Sequence, residues 1–126
     1  FFLLMKEIFF ILFFVFPISI YSYDLEEIHF NEAINNEGKL SKVCGKIVHT
    51  YIYKSAKSEL VFLNMGGKFP NHEFTGLIRY SSNRDNFISR PDIKYENKFV
   101  CISGVITMYK KKPQIQIDFE NQIEIK

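Results

Sequence analysis

The sequence predicts an all-β domain: a small closed barrel of five strands, with one short helix before it and another inside a connection. Three observations carry this. The last third, Tyr95 to Tyr109 and then Pro113 to Ile117, reads as two strongly patterned strands joined by a turn of three lysines. The middle of the chain holds a matching partner, Val43 to Tyr53, with the same alternation. Two glycines, Gly45 and Gly104, fall inside the first and fourth strands, where a highly coiled barrel needs a bend without a Cβ.

At 126 residues the chain is sized for one domain and one core. A hydrophobic content of 47% excludes a disordered chain. The net charge of +2 is too small to identify a partner by itself. Where the charge lies matters more, and the positive clusters fall in turns.

Residues 1–22 stand apart from the fold. Ile8 to Phe16 is a continuous apolar run preceded by Lys6 and followed by Pro17, Ser19 and Ser22. A run of about 9–13 apolar residues is short for a bilayer core of ~30 Å and suits the apolar region of a secretory signal. Cleavage after Ser22 is the expectation, with Met5 as the true start and Phe1 to Leu4 upstream of it. A retained membrane anchor and a buried N-terminal helix are the alternatives. The expected product is an exported, periplasmic or secreted domain of residues 23–126.

Within that domain, residues 23–30 are acidic and extended. Asn31 can cap a short helix that carries Ala33 and Ile34 and ends at Gly38. Lys39 to Lys54 alternate over one long strand, and Ser55 to Ser58 form a hairpin loop. Glu59 to Met65 is the second strand, ended by Gly66 and Gly67, and Phe69 to His72 is a turn. Glu73 to Tyr80 is the third strand, with Phe74, Gly76, Ile78 and Tyr80 on one face and Thr75, Leu77 and Arg79 on the other. Ser81 to Asn97 is irregular and polar, with a short helix around Phe87. Lys98 to Tyr109 and Pro113 to Phe119 are the last two strands, before an extended tail over Gln122 to Lys126.

Five strands, with a break between the third and fourth, follow the order of an OB-fold barrel. The rival is an open antiparallel sheet or small sandwich. Cys44 and Cys101 both point away from the face that carries Val43, Ile47, Val100 and Ile102. In an oxidising compartment they bridge if the register sets their Cβ atoms within about 4.5 Å; otherwise they are two unpaired thiols.

The run Gly38 to Val48, then Val61 to Asn64, Phe69 to Asn71, Phe74, Thr75 and Ile78, resembles small exported bacterial proteins of the OB-fold nucleic-acid-binding type. So do Tyr95 to Gly104, Tyr109, Pro113 to Ile115 and Gln122-Ile123. The resemblance spans roughly residues 28–125. It implies a five-stranded barrel and nucleic-acid binding, and it implies no catalytic activity.

Single-stranded nucleic acid needs cations along a groove for its phosphates and flat rings for its bases. In an OB barrel the second and third strands form the floor, and two hairpins flank it. Here the first hairpin supplies Tyr51, Tyr53, Lys54 and Lys57. The second supplies Tyr109, Lys110, Lys111, Lys112 and Gln114, and Arg79 lies between them. Both hairpins are expected at one rim of the barrel. The same lysines would equally keep turns solvated and edges from aggregating.

Enzymatic readings find little support. His29, His49 and His72 lack metal-site spacing, and His72, in the turn before the third strand, is the one whose position could matter. No nucleophile motif or phosphate-cradling glycine loop occurs. Asp85, Asp92, Arg84 and Arg90 share the irregular linker without any sign of convergence. The expectation is therefore a non-catalytic module without cofactor or metal, binding single-stranded DNA or RNA. The alternative is a periplasmic barrel that binds a protein partner or small ligand; a weaker one is a structural domain of a larger exported assembly.

Overall fold

Alternating apolar residues curl five strands into a ring. The computed structural model describes residues 25–126, so the expected leader at residues 1–22 lies outside the described residues. The described strands are β1 (Glu27–His29), β2 (Leu40–Lys54), β3 (Glu59–Met65), β4 (Phe74–Arg79), β5 (Phe99–Tyr109), β6 (Lys112–Gln116) and β7 (Ile123–Ile125). Two one-turn helices, α1 (Tyr80–Asn83) and α2 (Pro91–Lys94), occupy the connection before β5.

The ring runs β2–β3–β4–β6–β5 and closes by pairing β5 back to β2. The contact between β4 and β6 is parallel and the other ring contacts are antiparallel. This is the strand order of the OB-fold, and the β2–β5 ladder rules out an open sheet. Inside the ring, Val43, Ile47, Val61, Leu63, Phe74, Ile78, Ile102, Ile106 and Ile115 are fully buried. They are the alternate residues of their strands, so one face of each element is removed from water.

One long strand serves two neighbours. Residues 40–46 of β2 pair with β5, and 47–54 pair with β3. The register slips between Ile47 and His49, so Val48 bulges outward where the strand changes partner. Gly45 sits just before this bend. A Cβ there would lie 2.5 Å from Phe30 Cδ1 and 2.9 Å from Met65 Sδ, so its absence lets the Phe30 ring pack against the barrel core.

Several local expectations change. Residues 27–29 are not merely extended: they pair in parallel with β2, and β7 pairs with the opposite flank of β5. Segments of three residues carry too little alternation to announce a ladder. The helix expected from Asn31 is a 3-10 turn over Phe30–Asn35, and its cap is His29, whose Nδ1 accepts from the Asn31 N–H at 3.3 Å. Only Ala33 is buried there, too little for a full α-helical face. No helix centres on Phe87. That residue is extended and buried, and short helical turns flank it on both sides. The last ring strand stops at Gln116, because the Gln122 side chain accepts from the Asp118 and Phe119 N–H groups and turns the chain.

Cys44 and Cys101 are direct cross-strand partners on β2 and β5, with Cα atoms 4.0 Å apart, and they form a disulfide. The register condition set by the sequence is thus met. Alongside, Lys42 binds Glu124 at 2.6 Å and Lys126 binds Glu27 at 2.6 Å, with longer contacts from each lysine to the other carboxylate. The four charges tie β1, β2 and β7 together. Three of the four are exposed and Lys42 is half-buried, so their gain in stability is small.

Candidate nucleic-acid interface

The outward residues of β2, β3 and β4 stand in register. Tyr51 faces Phe62, Tyr53 faces Leu60, and His49 faces Asn64. Across the next ladder Phe62 faces Leu77, Asn64 faces Thr75, and Leu60 faces Arg79. Thr75 then meets Gln114 on β6. A groove of about 590 Å³ lies on this face. Its floor is Tyr51, Tyr53, Leu60, Phe62, Thr75 and Gln114. One end is closed by Phe69, Pro70 and His72 from the β3–β4 turn, together with Tyr109, Lys110 and Lys112.

The rings in it are ordered against one another. Phe69 stacks on Tyr51 with centroids 5.7 Å apart and planes 11° apart, and on His72 at 5.7 Å and 21°. Tyr51 also meets Phe62 at 5.8 Å. Phe69 and Tyr109 are each 59% exposed, so the assembly presents open ring faces to solvent. Such faces accept flat, apolar or π-rich groups.

Of the expected contact residues, Tyr51, Tyr53, Tyr109, Lys110, Lys112 and Gln114 line the groove. Lys54, Lys57, Lys111 and Arg79 are exposed and lie outside its lining. The two lysine hairpins do not share a rim. β6 runs parallel to β4, so the turn preceding β6 lies where β4 begins, beside the β3–β4 turn. The Ser55–Ser58 hairpin precedes β3 and therefore lies at the far end of the same face. The groove runs between the two ends, and the hairpins flank it from opposite sides.

The expected three-lysine turn is a two-residue turn. Lys110 and Lys111 both take left-handed backbone, with φ of 48° and 65°, while Lys112 already belongs to β6. The Lys112 ammonium donates to the Pro70 carbonyl at 2.5 Å and to the His72 carbonyl at 2.6 Å. Lys110 extends over the Tyr109 ring at 5.5 Å. His72 is 8% exposed, and its Nδ1 has no hydrogen-bond partner among the described residues. Burial, then the nearby Lys112 and His49 charges, pushes its imidazole below the ordinary value of 6.5, so it stays neutral at physiological pH.

The linker charges do converge, but on each other. Arg90 binds Glu59 at 2.5 Å and Asp92 at 3.0 Å, and Arg84 reaches Glu59 at 4.0 Å. Both guanidiniums lie over the Tyr80 ring, at 4.7 and 5.4 Å. The hydrogen bond from Arg90 holds the Glu59 carboxyl below its ordinary range. This knot fastens the linker to the start of β3, and its carboxylates already have cationic partners. Among the described residues, the one grouping with metal-ligand chemistry is Glu27 with Cys44 and Cys101, whose sulfurs are joined to each other.

Sequence reasoning missed Leu60, Phe62, Phe69, Pro70 and Thr75. Phe62 was accessible to it, since it alternates with Val61 and Leu63 and must face outward. Phe69 was not, because the orientation of a turn residue follows from what holds the turn.

No protein-family model matches the chain, and no curated protein matches it. Among solved structures, an asparaginyl-tRNA synthetase from Pyrococcus horikoshii superposes with a TM-score of 0.48 at 9% identity, over 81% of this chain and 23% of that one. A protein from Leishmania major Friedlin described as an aspartyl-tRNA synthetase gives 0.47 at 9% identity, over 85% of this chain and 22% of that one. The chain spans less than a quarter of either protein, and likeness at this level carries nothing about activity. The assignment to the OB-fold rests on strand order and register.

Proposed function

We propose that this chain is an exported, non-catalytic OB-fold module, of the small bacterial kind its sequence resembles, that binds single-stranded nucleic acid across the outer face of β3 and β4. The observation that carries the reading is the groove itself: open Tyr51, Phe69 and Tyr109 rings beside the Lys110 cation, on the face where OB barrels present extended ligands. Titration of a labelled oligonucleotide at two salt concentrations tests it. Binding that weakens with salt and falls on Tyr51→Ala supports the reading; no measurable binding at ~50 mM salt, where phosphate contacts are strongest, removes it.

A second reading, a small aromatic ligand or an apolar segment of a protein partner, is favoured by a different observation. Four of the expected cations lie outside the groove, and the Lys112 ammonium is already bonded to two carbonyls. Binding that is insensitive to salt and competed by a free nucleoside supports this second reading.

A further inference from the structure

We infer that Phe69 is a ligand-stacking residue of the groove and that Lys112 is the positioning residue that holds it there, so recognition runs through ring faces more than through phosphate charge. This rests on the reading of the groove as a site for single-stranded nucleic acid.

The turn between β3 and β4 has little of its own to fix it. Asn71 N–H closes on the Lys68 carbonyl at 2.7 Å, and Glu73 N–H reaches the Met65 carbonyl at 2.9 Å. The remaining Pro70 and His72 carbonyls are both taken by the Lys112 ammonium from another strand. Charge-assisted bonds this short are strong, and two of them on alternate residues fix the backbone that carries Phe69. Phe69 stacks on both Tyr51 and His72, with planes 11° and 21° from theirs, and stays 59% exposed. The exposed side of Phe69 extends the platform begun by Tyr51 on β2. An ammonium with two of its three donors committed to carbonyls has little left for a phosphate. Lys110 is then the groove cation that remains for the backbone of a bound strand.

Salt dependence separates the two roles. One phosphate contact on a single strand gives a slope of log affinity against log salt of about −0.7, whereas contacts from all six expected cations would give about −4. The test uses a fluorescein-labelled oligothymidylate, an abasic strand of the same length, and the variants F69A, K112M, K110A and F69A/K112M. Methionine keeps the apolar stem of Lys112 and removes its donors. F69A and K112M should each weaken thymidylate binding about tenfold, with the double variant no worse than either single one and the slope unchanged near −0.7. K110A should flatten the slope, and the abasic strand should bind at least tenfold more weakly. Additive losses with a shallower slope in K112M would make Lys112 a phosphate contact and overturn the inference; so would equal affinity for the abasic strand. If no strand binds the unmodified protein, the nucleic-acid reading fails, and the positioning role is read without ligand. The Phe69 ring protons should carry ring-current shifts from Tyr51 and His72 that collapse in K112M while melting stays cooperative. Unchanged shifts would sink it.

Discussion

The wall built from β1, β7 and the first halves of β2 and β5 carries a disulfide and paired charges on its outer side, whereas the wall made by the second half of β2 with β3, β4 and β6 is rimmed by open rings. On the first, Cys44 is joined to Cys101 and Lys42 and Lys126 are each bonded to carboxylates. On the second, Tyr51, Phe69 and Tyr109 are stacked or cation-flanked yet remain well exposed. A small barrel has a limited interior, so closure must be reinforced somewhere on its surface. Here the covalent cross-link lies on one wall, and the other keeps its aromatic groove open for contact.

The largest expected effect breaks the reinforced wall. Replacing Cys44 and Cys101 with serine releases a constraint across 57 residues and should cost about 4 kcal/mol by loop entropy, read as a lower urea midpoint. Oligonucleotide affinity at temperatures where the barrel is folded should change little. Loss of binding with retained fold would show that the two walls are not separable.

A smaller effect tests the hinge between them. Gly45→Ala places a Cβ against Phe30 and Met65 and should destabilise by roughly 1–3 kcal/mol, as crowded interiors do. Thermal melting measures it. On the open wall, Tyr51→Ala should lower affinity by about 1–3 kcal/mol per stacked base while shifting the melting midpoint only slightly.

The turn at Lys110 and Lys111 sharpens the contrast. Both lysines hold left-handed backbone, which asparagine and glycine adopt at lower cost, so replacing the pair by Asn-Gly should stabilise the hairpin by up to about 1 kcal/mol. The same change removes the groove cation and should flatten the salt dependence. A stabilised protein with an unchanged salt slope would remove Lys110 from the interface.

Acid provides the mildest probe. The folded His72 imidazole titrates below its ordinary value of 6.5, so between those two points the unfolded chain binds a proton that the native chain does not. Stability contributed there is present above pH 6.5 and is lost as the pH falls through the folded value. His72→Phe should reduce that slope in a pH series of melting midpoints. Paired carboxylates such as Glu59, held low by Arg90, act in the same direction but only further into acid.

Ring order, the place of Gly45 beside the bend of β2 and the inward residues were legible because each is written as alternation over several positions or as a missing side chain within it. β1 and β7 were not, since a three-residue edge has no period to read and gains its partner only once the ring exists. Lysine composition indicated a basic site, but it could not distinguish Lys110, which stays at the surface, from Lys112, whose ammonium is turned inward to two carbonyls. That difference depends on β6 lying parallel to β4, a contact between residues about 40 positions apart.

The ion pair between Glu27 and Lys126 brings the first and last strands to the same flank, beside the disulfide and off the wall of β3, β4 and β6. A partner held against β1 and β7 therefore leaves the aromatic face unobstructed. A short peptide joining residue 126 to residue 25, with new ends cut at the Ser55–Ser58 loop, is a circular permutation that this proximity invites.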